Sequence, residues 1–315
     1  MEQTIPVVDL RHYRAPETRA AFVATFGDAL RDLGFVALEG HGIAQRAFDA
    51  SYDAFRRFFA LPDTVKRRFE RPSEARQRGY TSFGVEHAKD NPAPDLKEFF
   101  HIGRELPPDH PHQGRLPRNV WPDELLPELR PAAMGVFEAL DEVAFLLLEA
   151  LSTYLGEAPR ALPELAEGGN TVQRIIHYPV CEAFERPGAM RAAQHEDINL
   201  MTLLPPADES GLEILTRAGQ WLPIAAVPGQ IIVDTGDMMK RITNDRIPAT
   251  THRVVNPTGE ARPRYSMPFF VHPRLDATLA VLPSQLAPGE RPKYPPISSE
   301  TFLLRRLEAI GVKPR

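Results

Sequence analysis

Apolar positions along this 315-residue chain change their period once. Up to about residue 160 they recur every three or four residues, the spacing of helices with one buried face; from Thr171 they come in short β-rich runs bounded by turn residues. The first half predicts a short strand near the N-terminus and a helix over 16–33 (PETRAAFVATFGDALRDL) stopped by Gly34. A strand over Phe35–Glu39 follows, then a helix after Gly40-His41-Gly42-Ile43 with Phe48, Tyr52, Phe55 and Phe59 on one face. Pro131 opens a long helix to Leu155, striped by Phe137, Leu140, Ala144, Leu147, Leu151 and Leu155. Residues 71–130 lack a regular pattern but are aromatic and charged, which suits a segment lining a site.

The second half predicts strands over 171–178, 191–196, 199–204, 211–215, 221–224, 230–234, 250–255 and 264–271, with a hairpin turn at Ala218-Gly219. A final amphipathic helix is expected over 298–309. No helix of adequate length separates these strands, so they suit a mainly β fold with flanking helices and a double-stranded β-helix (jelly-roll) core better than a parallel α/β sheet. The chain reads as one domain, 1–315: a helical region with the first strands over 1–160, the jelly roll over 161–275, and a C-terminal segment and helix over 276–315.

Composition narrows the functions. With 43% hydrophobic residues, a net charge of −5 and scattered Lys and Arg, nothing attracts nucleic acid or an anionic membrane. A small-molecule substrate is expected, handled by a monomer or weak homo-oligomer. Cys181 is the only cysteine, which excludes an intramolecular disulfide and a cysteine-rich zinc site and suits the reducing cytoplasm. The N-terminus lacks a secretory pattern, and the longest apolar run, Val143 to Leu148, is far short of the ~20 residues of a spanning helix.

The candidate chemistry centres on Gln194–Asn199. His195 and Asp197 are two positions apart, and in an extended strand residues i and i+2 point to the same face, so their side chains are expected to be able to converge on one metal ion. His252, on a later strand, is the candidate third ligand. Two His and one carboxylate leave open positions on an octahedral metal, the pattern of non-haem Fe(II) oxygenases. The spacings also allow a structural His195–Asp197 pair with His252 in the core. Arg264 and Ser266 share a strand face where guanidinium and hydroxyl can receive a carboxylate, with Arg262 a rival of the same parity. His110 and His112 read as solvated loop residues, His87 and His101 as candidates to face a pocket, and Cys181 as a buried small hydrophobe.

The chain resembles the iron(II)/2-oxoglutarate-dependent oxygenases, in the branch similar to isopenicillin N synthase. The resemblance rests on Ile5-Pro6-Val7-Val8-Asp9-Leu10, Gly40-His41-Gly42-Ile43, Arg78-Gly79-Tyr80, Asp95-Leu96-Lys97-Glu98, Asn119-x-Trp121-Pro122, His177-Tyr178-Pro179, His195-x-Asp197-x-Asn199, Gly236-Asp237, His252-Arg253-Val254 and Arg264-x-Ser266, in that order over nearly the whole chain. It implies Fe(II) on His195, Asp197 and His252, and the distal carboxylate of 2-oxoglutarate on Arg264 and Ser266. It places Tyr178 near co-substrate or substrate, and Asn199 behind a metal ligand. Gly236-Asp237 reads as turn chemistry. The implied reaction consumes O2 and 2-oxoglutarate, releases succinate and CO2, and hydroxylates, desaturates or cyclises a small organic substrate through an Fe(IV)-oxo species. Three rivals remain open at this point: an Fe(II) oxidase that needs no 2-oxoglutarate, an enzyme making ethylene from 2-oxoglutarate, and a non-catalytic jelly-roll binding protein that keeps a metal for stability. The residues around the Tyr-Pro, His177-Tyr178-Pro179-Val180-Cys181, depart from the plant-type motif and argue against a plant flavonoid or hormone substrate. Glu86, His87, Lys89 and Arg174 suggest a small, partly polar substrate such as an amino acid derivative or secondary metabolite.

Overall fold

The computed structural model describes residues 4–86, 95–180, 189–225, 227–257 and 262–309. Its strands alternate between two buried faces. In Phe35–Glu39, Val36 and Leu38 join the main core with the helices, while Phe35 and Ala37 turn to a second core with Leu212, Ile214, Ile224 and Ile232. That is why these strands read as continuous apolar runs.

Nine strands form one sheet: β1 (Val7–Asp9), β2 (Phe35–Glu39), β10 (Ile231–Thr235), β7 (Met201–Leu204), β13 (Phe269–Val271), β5 (Val172–Tyr178), β4 (Glu98–Gly103) and β3 (Gly79–Thr81), with β12 (Arg264–Ser266) also on β5. Four more, β6 (Ala192–His195), β11 (His252–Val254), β8 (Leu212–Leu215) and β9 (Trp221–Pro223), form the facing sheet in the order β6-β11-β8-β9. A ribbon of β14 (Thr278–Leu279) and β15 (Ile297–Ser298) lies apart. All pairs are antiparallel except β1 with β2. The fold is mainly β with flanking helices, and the two facing sheets make the jelly roll.

The helices Arg19–Leu33, Gln45–Phe59 and Leu129–Tyr154 cover the outer face of the large sheet. Gly34 ends the first of them in the left-handed conformation, φ 70°, as its position suggested. Phe137 of the long helix meets Phe269 of the sheet edge to face at 4.9 Å; burying a side chain such as Phe269 stabilises the fold by about 2–3 kcal/mol. No helix among the described residues is long and apolar enough to cross a membrane.

Three expectations are corrected. Residues 71–130 are not irregular throughout: β3 and β4 extend the large sheet, and Glu98–Gly103 is buried along its whole length. The predicted strand 264–271 is two strands, because Met267-Pro268 interrupts the ladder; β12 pairs with Ile176–Tyr178 and β13 with Val172–Gln173 and with β7. The strands 191–196 and 199–204 are shorter, leaving residues 196–200 as a bend that carries Asp197.

Candidate metal centre and cavity

β6 and β11 bring the two histidines together through an irregular register. Val254 pairs with Ala192 but His252 pairs with His195, so three steps on β6 match two on β11. This bulge-like extra residue reverses the side-chain parity along β6. Ala192 and Val254 pack inside the roll with Ile176 and Tyr178, and the shift lets His195 face His252 with ring centroids 4.4 Å apart. Asp197 arrives differently from the expectation of a shared strand face: β6 ends at His195, and the bend brings the carboxylate round. The Nε2 atoms of His195 and His252 lie 3.9 and 3.8 Å from Asp197 Oδ1. One donor atom from each residue fits within a 4.8 Å cluster, and no other such group of three His, Cys, Asp or Glu exists among the described residues.

The surrounding bonds decide which atoms are free. Nδ1 of His195 lies 2.8 Å from the Ala193 carbonyl oxygen, and Nδ1 of His252 lies 3.1 Å from that of Thr250. A carbonyl only accepts, so each Nδ1 carries the proton and each Nε2 presents a lone pair. Burial, then His252, holds the His195 imidazole below its ordinary pKa and so neutral at pH 7. The Thr202 hydroxyl donates to Asp197 Oδ2, which leaves Oδ1 to the cluster. Asn199 donates its amide to Thr202 Oγ1 and to the Met201 carbonyl, both at 3.0 Å. Asp234, across from Thr202 in the ladder, is buried, and burial with neighbouring Asp197 raises its carboxyl well above the ordinary range. Two imidazole nitrogens and one carboxylate oxygen with no thiolate form a donor set that fits Fe(II).

The bend is clamped from behind. The N–H groups of Asp237 and Met238 donate to the carbonyls of Asp197 (2.8 Å) and Ile198 and Asn199 (both 3.1 Å). Gly236 makes this approach possible: a Cβ there would sit 2.5 Å from Asn199 Oδ1 and 2.7 Å from the Asp197 carbonyl. Asp237 opens the Asp237–Ile242 helix and pairs with Arg306 of the C-terminal helix, Ser299–Ala309.

Arg264 and Ser266 lie directly across β12–β5 from Tyr178 and Ile176, hence on the same face, inside the roll. Arg264 is 2% exposed, its guanidinium lies 5.1 Å from the Tyr178 ring centroid, and its Nε donates to the Glu209 carbonyl at 3.1 Å. Its Nη1 is buried without a hydrogen-bond partner. An orphaned guanidinium N–H in a dry site is costly unless an anion meets it. Arg262 is exposed.

A cavity of about 240 Å³ opens beside the histidines. It is lined on one side by Glu86, Asp95, Lys97, His101 and Arg174, and on the others by Phe270, His272 and the helix residues Leu303, Arg306 and Leu307. Of the residues expected to face a pocket, Glu86, His101 and Arg174 do so, Tyr178 stands with Arg264 instead, and His87 and Lys89 lie outside the described residues, as does Cys181, expected to be a buried small hydrophobe. His110 and His112 lie beside each other in their loop, ring centroids 5.5 Å apart and planes tilted by 48°. Sequence reasoning missed Thr202 and Asp234; the one signal was an acid inside the apolar run Ile231-Ile232-Val233-Asp234.

Residues 169–273 match the model of the 2OG-Fe(II) oxygenase superfamily, and residues 5–124 match that of the non-haem dioxygenase in morphine synthesis N-terminal family. The chain is 34% identical over 308 residues to the 2-oxoglutarate-Fe(II) type oxidoreductase hxnY of Emericella nidulans, covering 95% of this chain and 88% of that one. The chain belongs to the 2OG-Fe(II) oxygenases. Among solved structures, the oxygenase is similar to a protein of Caulobacter crescentus described as a 2OG-Fe(II) oxygenase family member, with 38% identity, a TM-score of 0.86 and coverage of 97% and 99%. It is also similar to a full-length Neurospora crassa protein solved in complex with alpha-KG and thymine, with 27% identity, a TM-score of 0.85 and coverage of 97% and 96%. The oxygenase therefore works with Fe(II), 2-oxoglutarate and O2 on a small-molecule substrate.

Proposed function

We propose that His195, Asp197 and His252 hold Fe(II), and that Arg264 and Ser266 anchor the distal carboxylate of 2-oxoglutarate beside Tyr178. The observation that carries this reading is the pattern of buried atoms left over: two Nε2 lone pairs and one carboxylate oxygen converging at one place, and an unpartnered guanidinium Nη1 inside the same roll. Bound Fe(II) and 2-oxoglutarate supply the activation of O2 that oxidises a substrate C–H bond. The protein's own residues do the rest. Thr202, with Asn199 behind it, fixes Asp197 so that one oxygen faces the metal position. Ala193 and Thr250 fix the imidazole tautomers. The cavity beside His195 orients the substrate and keeps bulk water from the reacting centre.

The substrate in this reading is a small organic molecule in the size range of the thymine bound by the Neurospora crassa protein. The scattered charge and single cysteine support a monomer or weak homo-oligomer in a reducing compartment such as the cytoplasm, acting without nucleic acid. The test is succinate release over a panel of candidate compounds. Release that requires Fe(II), 2-oxoglutarate and one class of compound supports the proposal. Substrate-dependent oxygen consumption that continues without 2-oxoglutarate overturns the co-substrate assignment.

A further inference from the structure

We propose that the oxygenase takes a net-neutral, hydrogen-bonding substrate, and that Glu86 and Arg174 determine this by rejecting carboxylates and ammonium ions. The proposal rests on the oxygenase reading for the existence of a substrate, and on the cavity wall for its class.

The wall is a chain of buried side chains and the half-buried Arg174, satisfied by one another. Arg174 donates from Nε to His101 Nε2 at 2.6 Å, and from its two terminal nitrogens to Glu86 at 2.9 and 3.2 Å. Its guanidinium carbon lies 4.3 Å from the Phe99 ring centroid, which fixes the plane. Lys97 Nζ is 2.8 Å from Glu86 and 2.8 Å from Asp95. Asp95 Oδ1 in turn accepts the Ala193 N–H at 3.1 Å, two residues before His195. Burial alone would raise the Glu86 carboxyl, but Arg174 and Lys97 hold it well below its usual range; burial alone would lower Lys97, but Glu86 and Asp95 hold it up. Glu86 and Lys97 are therefore held in their charged forms, and the two basic and two acidic side chains of the wall pair with one another. Burial keeps His101 and His272 neutral. The other charged side chains lining the cavity lie outside this wall: Arg306 pairs with Asp237, Glu196 accepts the Thr251 hydroxyl, and Asp197, the candidate metal ligand, accepts that of Thr202.

A substrate carboxylate entering this cavity would leave water for a site whose described cations each face a carboxylate already. An ammonium would meet carboxylates already bridged by Lys97. Among the described residues of this wall, either would be buried without a free counter-charge, the costliest way to bury a group. A neutral amide, carbonyl or hydroxyl needs only the N–H groups and lone pairs left over on Arg174, Lys97 and Glu86, whose capacity exceeds the bonds they make. Phe270, Leu303 and Leu307 leave room for an apolar body beside that polar edge.

The test uses three probes of similar size and different charge, benzamide, benzoate and benzylamine, with binding to the Fe(II)- and 2-oxoglutarate-loaded protein measured by calorimetry. Benzamide is expected to bind at least about tenfold tighter than either ion. Glu86→Gln, which leaves the two cations with one carboxylate, is expected to strengthen benzoate relative to benzamide by about tenfold or more, and Arg174→Gln to do the same for benzylamine. The wild-type ranking is the test that stands should either variant fail to fold. Benzoate or benzylamine bound as tightly as benzamide, or no discrimination among the three because none binds, overturns the proposal. A 2-oxoglutarate titration of the same Fe(II)-loaded samples separates the two readings: lost co-substrate binding overturns the oxygenase assignment, whereas normal binding with the wrong ranking overturns only the neutral-substrate proposal.

Discussion

The two ends of the active cavity are built on opposite principles. At the proposed metal corner, hydrogen bonds are arranged so that atoms remain free: Nδ1 of each histidine and Oδ2 of Asp197 are engaged, leaving Nε2 and Oδ1; elsewhere in the roll Arg264 likewise keeps a buried Nη1 without a partner. At the outer wall Glu86, Arg174, Lys97 and Asp95 satisfy one another and present no uncompensated charge. The difference teaches how to read buried polar groups. Those left unsatisfied mark what the site must bind, and those satisfied in pairs mark what it refuses.

Removing a metal-corner ligand should have the largest effect. Asp197→Ala is expected to lower Fe(II)-dependent succinate release by roughly three orders of magnitude or more, a barrier change of about 4 kcal/mol. Near-normal release from this variant would dissolve the contrast, because the convergent atoms would then be unused. Next, Arg264→Ala should raise the KM for 2-oxoglutarate by about 30-fold or more, since a charge-assisted bond to a buried carboxylate is worth about 2 kcal/mol or more. Arg262→Ala, on an exposed side chain, should leave that KM within about twofold. Equal effects from the two arginines would overturn the anchor assignment.

A smaller effect is expected behind the ligands. Thr202→Val removes the donor to Asp197 Oδ2 while keeping the shape, and should weaken Fe(II) affinity by about 10- to 100-fold, readable in a metal titration. Unchanged affinity would show that the bend, held by the Asp237 and Met238 N–H groups, positions Asp197 without help. The mildest test is pH. Burial depresses the His272 pKa to about 4 from an ordinary 6.5, so the unfolded chain binds more protons between those values. That contribution to stability is fully present above pH 6.5 and is lost as pH falls toward 4. It amounts to about 2 kcal/mol between pH 6.5 and 5. Denaturant unfolding of wild type and His272→Gln at both pH values should show the wild type losing more; parallel losses would remove His272 from the account.

Legibility in the sequence followed the range of the interactions. The helices and most roll strands were visible because their periods are local, and Gly34 was visible as a helix stop because a positive φ favours glycine. β4 was not, because Glu98–Gly103 is buried on both faces and shows no alternation to tell it from a loop with aromatic residues. The interruption at Met267-Pro268 was under-read for a related reason: a proline marks a break only once the ladder partner is known.

By itself the sequence determined which chemical groups are available and roughly where along the chain they lie: a histidine and an aspartate two apart, a second histidine on a later strand, an arginine and serine two apart on a further one, and a jelly-roll pattern to carry them. Tertiary structure decided how they meet. The register shift that turns His195 toward His252, the bend that delivers Asp197, the burial that leaves Arg264 Nη1 without a partner and the pairing of Glu86 with Arg174 all depend on contacts between segments far apart in the chain. The physical reason is that local sequence sets backbone preference, whereas charge balance and the satisfaction of buried polar atoms are properties of a neighbourhood, and a neighbourhood exists only once the chain has folded.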